Sequence, residues 1–267
     1  KEGVLRVLLV RSGVRTGQIL VALVTTGTEI DTVPFVDVVR ETYPGASIYH
    51  CIFHGLSQGL FSDETIHLAG EPVIEEQLNI NGLDRPLRFQ ISPVSFFQTN
   101  TLATEVLYSK IRAGVEAIRP RILYDLYGGG GGIALSCADC AEVVRSVENV
   151  HAASLDGDVN ARLNGIENVF FIDQDVRHYM LEIANGGGME PNSAVVVDPP
   201  RAGMHPKALR RLVEAAPPHI LYVSCKPTVF AQELTKFLES YDLTGLEAVD
   251  MFPHTPHVEV LATLALK

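Results

Sequence analysis

A cysteine at the end of an apolar segment is the first candidate for chemistry. Residues 219–225 read His-Ile-Leu-Tyr-Val-Ser-Cys, and Lys226 and Pro227 follow. The β-branched and aromatic residues predict a strand, with Cys225 at its carboxyl end. A nearby cation, such as Lys226 or Arg201, would favour the thiolate, which is the nucleophilic form. Considered alone, a cysteine that ends an apolar strand is also typical of a small buried core residue.

The segment before the last apolar run offers a partner for that cysteine. It runs from Met251 to Glu259 and contains His254 and His257. Buried without compensation, Glu259 would be costly, whereas beside a thiolate it could act as a general base. Either histidine could instead be a hydrogen-bonded structural residue. Because the two histidines have no obvious third ligand, the pattern predicts no metal site.

Five consecutive glycines, Gly128–Gly132, follow a predicted strand over 122–127. Glycines let the backbone turn tightly and approach a ligand closely. The next predicted strand, 143–148, ends in Glu148, whose carboxylate could accept hydrogen bonds from both ribose hydroxyls of an adenosine group. The pattern favours a nucleoside cofactor, although dinucleotide enzymes share it. A flexible turn and an ordinary exposed acid are the simpler alternatives.

Two more acidic residues follow predicted strands. Asp175 comes after the strand predicted over 169–172, and it either reaches an adenine amino group or caps the helix that begins at Val176. Asp198 ends the strand predicted over 194–198 and precedes Pro199 and Pro200, which fix the backbone and remove two donors. This arrangement predicts a rigid, exposed turn, which is either a binding element or a plain connection.

The elements that must position these residues begin at about residue 92, where helices and apolar strands alternate. This alternation predicts an α/β fold with a Rossmann-like, doubly wound, mostly parallel sheet. The last two strands, 243–251 and 258–266, follow each other without a helix and should form an antiparallel edge hairpin. Ligands of such sheets bind at the carboxyl ends of the strands. The predicted helices are 101–118, 133–141, 150–164, 176–184, 207–216 and 228–240.

Residues 1–91 are predicted to form a smaller, β-rich α+β domain ahead of the larger domain of residues 92–267. The runs 4–10 and 18–25 predict a hairpin. Residues 33–43 have helical spacing and stop before Pro44, residues 47–53 predict a strand, and residues 54–90 predict a meander.

Composition narrows the class of protein further. The 267 residues suit one large domain or a larger and a smaller one. No apolar run reaches the ~18 residues of a membrane span, and no signal peptide opens the chain, so we expect a cytoplasmic protein. Four cysteines are too few for a disulfide scaffold, and Cys137 and Cys140 are predicted to be small core residues of a helix. The net charge of -11 argues against a surface that grips nucleic acid throughout, but it permits a local basic groove.

Six segments, in order, resemble the RNA uracil-5-methyltransferase family, which acts on transfer and ribosomal RNA. They are residues 95–100, 125–129, 146–148, 198–201, 223–227 and 251–259. Residues 1–91 resemble the family's middle domain more loosely. The resemblance implies a class I methyltransferase fold, S-adenosylmethionine as the cofactor and transfer or ribosomal RNA as the partner, with no metal in this chain.

The resemblance also implies roles for single residues. Cys225 would be the nucleophile that adds to carbon 6 of uracil, and Glu259 the base that removes the proton from carbon 5. The cofactor would be bound by Gln98, Tyr127, Gly129, Glu148, Asp175 and Asp198. The substrate would be bound by Phe97, Arg201 and His254. The family often has a cysteine where this chain has Gly128, and a polar contact where it has Gly132.

Other classes of protein share parts of the pattern. A nucleotide-dependent oxidoreductase on the same fold would explain Gly128–Gly132 and Glu148, but it gives Cys225 and Glu259 no role. A catalytically impaired homologue could retain the fold and bind cofactor or RNA without reacting. A methyltransferase that acts on an amino nitrogen, as Asp-Pro-Pro motifs sometimes suggest, would not need Cys225. The sequence names neither the target uridine nor the oligomeric state.

Overall fold

A computed structural model describes residues 3–55, 62–93 and 95–267. The chain forms two compact units. The small unit consists of Lys1–Gln77 and Arg88–Phe96, and the large unit consists of Leu78–Leu87 and Phe97–Lys267. The chain therefore enters the large unit for a short stretch, returns to the small unit and then enters the large unit again.

The small unit contains a four-stranded sheet in the order β1-β2-β3-β4. Its elements are β1 Leu5–Ser12, β2 Ile19–Thr25, α1 Val33–Thr42, β3 Ser47–Ile52 and β4 Glu64–Ala69. The predicted hairpin is confirmed, because β1 and β2 pair antiparallel. Helix α1 is the crossover between the parallel strands β2 and β3. Its Val39 packs into a core with Val21, Ala46, Ile48 and Ala69.

The region that the sequence predicts as a meander yields β4, β5 Ile74–Leu78 and β6 Leu87–Ile91. Strand β4 pairs antiparallel with β3, and β5 and β6 form a separate two-stranded sheet. Residues 56–61, which also belong to this prediction, lie outside the described residues.

The large unit contains a seven-stranded sheet in the order β12-β13-β11-β10-β7-β8-β9. Its strands are β7 Ile122–Leu126, β8 Val143–Glu148, β9 Val169–Asp173, β10 Ser193–Val197, β11 His219–Ser224, β12 Tyr241–Val249 and β13 Glu259–Leu266. Its helices are α2 Thr101–Ile118, α3 Gly132–Ser136, α4 His151–Asn164, α5 Val176–Asn185, α6 Pro206–Ala215 and α7 Pro227–Phe237.

The predicted doubly wound sheet is confirmed. Strands β9, β8, β7, β10 and β11 are parallel. Strand β13 pairs antiparallel with both β11 and β12, so it lies between them. Strands β7 and β10 are buried along their whole length, as expected of parallel strands that helices cover on both faces.

One predicted helix is wrong in its extent. The sequence predicts a helix over 133–141, but α3 ends at Ser136 and a 3-10 turn follows over Ala138–Cys140. The buried Arg112 guanidinium explains the break, because it donates to the Ser136 carbonyl at 3.0 Å and pairs with Asp139. The core prediction for the cysteines holds for Cys137, which is buried, while Cys140 is partly exposed.

Two absences hold for the described part of the chain. None of its helices is long and apolar enough to cross a membrane. None of its residues form a group of three or more side chains suited to hold a metal ion. All four cysteines are free.

Candidate active site

The topology of the large unit brings most of the predicted site residues to one edge of the sheet. Carboxyl ends of parallel strands meet at one edge, and β7, β8, β10 and β11 end there. Tyr127, Glu148, Asp198 and Cys225 lie at or directly after those ends. Because β13 runs antiparallel to β11, its first residue, Glu259, belongs to the same edge.

Strand pairing places Cys225 next to Glu259. Ser224 of β11 pairs with Val260 of β13, so Cys225 and Glu259 directly adjoin the last pair of this register. The charge of Glu259 acts on the Cys225 thiol. Opposed Cβ atoms in an antiparallel pair are about 4.5–5.5 Å apart. Glu259 is only 5% exposed, and its Oε2 atom has no hydrogen-bond partner within the described part of the chain. Cys225 is partly buried.

The groups around Cys225 shift the pKa of its thiol in opposite directions. Burial raises the pKa of the Cys225 thiol, the charges of Glu259 and Asp198 raise it further, and Arg201 opposes them. The predicted effect of a cation is therefore present for Arg201, although the net shift of the Cys225 thiol pKa is upward. The cause is desolvation together with two carboxylates, which outweigh one exposed guanidinium.

Glu259 and Asp198 are themselves perturbed. Burial, with help from the charge of Asp198, raises the pKa of Glu259 to about 7. Burial also raises the pKa of Asp198 to about 7. Carboxyl groups with pKa values near neutrality can exchange protons at physiological pH, which is the property that a general base requires.

Two residues to which the sequence assigned no role belong to the same cluster. Asp125, near the end of β7, is fully buried; its Oδ2 atom accepts from Ser146 Oγ at 3.1 Å, and its Oδ1 atom has no partner among the described residues. Burial raises the pKa of Asp125 to about 7. Tyr108 of α2 is buried beside it, and the charges of Asp198, Asp125 and Glu259 add to the burial that raises its pKa. An acid inside an apolar strand was a visible signal for Asp125; the sequence carried none for Tyr108.

The glycine run packs closely against side chains. A Cβ atom at Gly128 would lie 1.9 Å from Ser146 Oγ, and one at Gly132 would lie 2.6 Å from the Tyr108 hydroxyl oxygen. Gly131 has a φ of +86°, and a Cβ there would lie 2.7 Å from the Phe171 ring. Real Cβ contacts are longer than these distances. Side chains would therefore not fit at Gly128, Gly131 and Gly132, whereas Gly129 adjoins open space.

Glu148 is positioned against that loop. Its Oε2 atom accepts from the Gly129 amide at 3.1 Å, and its Oε1 atom accepts from the Val150 amide at 2.7 Å. The side chain is partly exposed. A carboxylate fixed at the tip of β8 by two backbone amides retains further lone pairs for a ligand's hydroxyl groups.

Asp175 caps a helix. Its Oδ1 atom accepts from the Arg177 amide at 2.7 Å, and its Oδ2 atom pairs with Arg177 Nη2 at 2.7 Å. The hydrogen bond from Arg177 lowers the pKa of Asp175. The simpler of the two sequence interpretations, the N-cap of α5, is therefore confirmed, while a contact with adenine stays a prediction.

The remaining predicted residues lie outside the helices and strands. Phe97 and Gln98 are partly buried just before α2, while Arg201 and His254 are exposed. His254 has a φ of +69°. Asn100, to which the sequence assigned no role, caps α2 through Ala103 N at 3.2 Å and donates to the Met251 carbonyl at 2.9 Å. It thereby ties the start of α2 to the start of this loop.

Comparison with solved structures defines the class of the fold. The tRNA (uracil-54, C5)-methyltransferase of Pyrococcus abyssi, solved in complex with S-adenosyl-L-homocysteine, matches 99% of this chain and 60% of that chain, at 31% identity and a TM-score of 0.77. The tRNA m1G37 methyltransferase of M. jannaschii matches 99% of this chain and 76% of that chain, at 14% identity and a TM-score of 0.57, which shows the fold alone. The large unit has the fold of a class I methyltransferase.

Sequence comparison narrows the class to a family. A family model described as tRNA (Uracil-5-)-methyltransferase matches residues 61–266. An uncharacterized RNA methyltransferase of Caldanaerobacter subterraneus is 37% identical over 98% of this chain, and one of Nitratidesulfovibrio vulgaris is 36% identical over 100% of this chain. The chain spans 57% of the length of each of these relatives. It belongs to the tRNA (uracil-5-)-methyltransferase family, which removes the ground for the oxidoreductase alternative.

Proposed function

We propose that this chain contains the catalytic unit of an S-adenosylmethionine-dependent enzyme that methylates carbon 5 of uracil in transfer or ribosomal RNA. Cys225 is the nucleophile and Glu259 is the base. The observation that carries the proposal is their opposition across the β11–β13 pair at the glycine-lined edge of the sheet. A thiol that adds to a ring and a carboxylate that removes a proton from it must lie this close together.

The residues at this edge fit a cofactor that carries positive charge. Asp125 Oδ1 and Glu259 Oε2 are buried acceptors without a hydrogen-bond partner among the described residues, and a buried acceptor left unpaired costs free energy. Ammonium and sulfonium groups are suited to such carboxylates. The bound cofactor supplies an electrophilic methyl group on its sulfonium. In this proposal it is held by Gln98, Tyr127, Gly129, Glu148, Asp175 and Asp198.

Within that set, each contact has a distinct chemical role. Glu148 accepts hydrogen bonds from the ribose hydroxyl groups, and the packed glycine loop lets the backbone approach the ligand. Asp198 would hold the cationic end of the cofactor. Asp175 reaches the adenine amino group with lone pairs that its helix cap and Arg177 leave free.

Cys225 activates a carbon that is otherwise a poor nucleophile. Its thiolate adds to carbon 6 of the uracil ring, and the electron pair of the 5,6 double bond moves to form an enolate with electron density at carbon 5. Carbon 5 would thereby become able to accept the methyl group that the cofactor supplies when bound. Arg201, which lowers the pKa of Cys225 against the effect of burial, is the side chain of this site that favours the thiolate.

Glu259 completes the reaction. It removes the proton from carbon 5, the 5,6 double bond re-forms, and the Cys225–carbon 6 bond breaks to regenerate the thiolate. Positioned general bases contribute about 10²–10⁴-fold to rate, and a carboxyl group with a pKa of about 7 can be ionised at neutral pH and still hold the proton it takes.

The target base must leave its stack to reach this edge. Phe97, Arg201 and His254 are the residues proposed to receive it, by stacking, by charge and by hydrogen bonding respectively. Arg201 and His254 are exposed. With a net charge of -11, the chain can meet phosphate only at such local cationic positions.

A mechanism-based trap tests the proposal. With RNA that contains 5-fluorouridine, fluorine replaces the departing proton, so the covalent adduct should accumulate and appear in the intact mass of the protein. The Cys225→Ala variant should form none. Cys140→Ala is the matched control, because Cys140 is also free and partly exposed but precedes β8 at the opposite edge of the sheet. A methyltransferase that acts on an amino nitrogen would instead keep its activity in Cys225→Ala and give no adduct.

A further inference from the structure

Glu233 of α7 is a partly buried carboxylate that the proposed chemistry does not use. Its Oε1 atom accepts from the Met204 amide at 2.8 Å, and its Oε2 atom accepts from the Tyr222 hydroxyl at 2.5 Å. Met204 lies in the loop 198–205, which leaves β10, while Tyr222 lies in β11. One carboxylate therefore joins the loop that begins with Asp198 to the strand that ends at Cys225.

The loop 198–205 has few means of moving independently of that contact. The Asp198 amide donates to the Leu126 carbonyl at 3.3 Å, and the Gly203 amide donates to the Pro200 carbonyl at 2.7 Å. Two consecutive prolines restrict the backbone between these bonds. Fixing Met204 therefore restrains the loop that carries Asp198 and Arg201.

Close packing shows that the contact is specific. Gly203 has a φ of +83°, and a Cβ atom there would lie 2.2 Å from Glu233 Oε1 and 2.6 Å from a methyl group of Val229. The loop can reach the carboxylate only because a glycine stands at this position. Helix α7 begins at Pro227, so the helix that carries Glu233 starts two residues after the nucleophile in sequence.

The electrostatic cost of Glu233 indicates a role beyond packing. Burial raises the pKa of Glu233, and its two donors oppose this effect. The charge of Glu233 also contributes, after burial and Asp175, to raising the pKa of Tyr127 to about 12, which places it beside a residue of the proposed cofactor site. A buried carboxylate costs more than an apolar residue of the same size unless its bonds are needed.

We propose that Glu233 is a positioning residue for the methyl transfer. It holds the loop that carries Asp198 and Arg201 in a fixed place relative to Cys225, so that the cofactor side and the nucleophile side of the site keep their spacing. The part of this inference that concerns Cys225 rests on the proposed function. The part that concerns cofactor binding does not depend on which base is methylated.

The test compares Glu233→Ala and Glu233→Gln with Glu190→Ala. Glutamine keeps an oxygen for the Met204 amide and an amide group for the Tyr222 oxygen, so it should rescue the function. Glu190 is the matched control because it also accepts from a strand tyrosine, Tyr124, but precedes β10 at the opposite edge. The readouts are the dissociation constant of S-adenosylhomocysteine, the rate of adduct formation with 5-fluorouridine RNA, and thermal unfolding.

Misplacing a reacting group by about 1 Å can cost about 10²-fold in rate. For Glu233→Ala, we therefore expect adduct formation to slow by ~10–100-fold and the dissociation constant to rise about 10-fold. Glu233→Gln should stay within about 3-fold of the wild type, and Glu190→Ala should lose thermal stability only.

Two results would overturn the proposal: wild-type binding and adduct rates in Glu233→Ala, or equal losses of both in Glu233→Ala and Glu190→Ala. If the wild type binds S-adenosylhomocysteine but forms no adduct, the proposed addition of Cys225 to the uracil ring fails. Glu233 is then judged by the dissociation constant alone, and an unchanged value in Glu233→Ala overturns its role.

Discussion

Cys225 and Glu259 directly adjoin the Ser224–Val260 pair of the antiparallel β11–β13 ladder, and the charge of Glu259 raises the pKa of the Cys225 thiol. A parallel neighbour of β11 would place its carboxyl end beside Cys225. An antiparallel neighbour instead places its first residue there. The insertion of β13 beside β11 therefore lets a residue at the start of one strand and a residue after the end of another act on one ring.

Glu259→Gln should separate the two halves of the proposed reaction. The variant keeps the Cys225 thiol and a side chain of similar size at residue 259 but lacks the carboxylate that accepts the proton. Proton removal and release of the enzyme should therefore stall. We expect turnover to fall by about 10²-fold or more, with a methylated protein–RNA adduct that accumulates on natural uridine RNA and is detected by denaturing gel and intact mass.

The control is Glu247→Gln, which alters an exposed carboxylate on β12 that pairs with Lys110. It should turn over normally. Equal turnover in Glu259→Gln and the wild type would remove Glu259 from the reaction.

The rate should rise with pH across neutrality. Glu259 must be ionised to accept a proton and its pKa is about 7, while the thiolate fraction of Cys225 keeps increasing at higher pH because burial raises the pKa of the thiol. Single-turnover rates between pH 5.5 and 9 should therefore climb without an acidic optimum. A rate that is already maximal at pH 5.5 would contradict the assignment of the base.

Stability should change with pH in the opposite direction. The pKa of Asp125 is about 7 in the folded chain and about 4 in an unfolded one, so the folded state binds more protons between these values. Its contribution to stability is complete below pH 4 and is lost as the pH rises through 7.

Asp125→Asn removes the free-energy cost of ionising a buried carboxyl group at high pH. Thermal unfolding should show a gain of about 2–4 °C at pH 8, the shift expected for roughly 1 kcal/mol in a domain of this size, and no gain at pH 4. The exposed Asp242→Asn on β12 is the control and should shift neither value. A loss of stability at pH 8 in Asp125→Asn would refute the argument.

Gly128 and Ser146 should behave as a complementary pair. A Cβ atom at residue 128 would meet Ser146 Oγ at 1.9 Å, so Gly128→Ala should cost about 1–3 kcal/mol by overpacking. Adding Ser146→Gly removes the nearer of two obstacles, since the Cβ would also lie 2.8 Å from Asp125 Oδ2, and should restore part of that loss. A double-mutant cycle, measured by chemical denaturation with Ser146→Gly alone as the reference, reports the coupling. Additive losses would show that the two positions are independent.

The sequence by itself determined the elements of this protein. Helix and strand periods are local properties of the chain, so α2 was predicted at its observed bounds of Thr101–Ile118 and β8 at Val143–Glu148. The Asp175 cap depends only on the residues that follow it. The resemblance of six short motifs was sufficient for the family, because most of them lie at strand ends whose positions the local pattern already gave.

Tertiary structure decided the order of the strands, the burial of individual side chains and the electrostatic effects between distant residues. The placement of β13 between β12 and β11, the excursion of Leu78–Leu87 into the large unit, and the burial of Asp125 and Tyr108 all depend on residues distant in sequence. The net direction of the Cys225 pKa shift could not be read from the sequence for the same reason. A neighbouring cation can be read from the chain, but desolvation and the carboxylates of other strands act through space, and only the packed fold sets their strength.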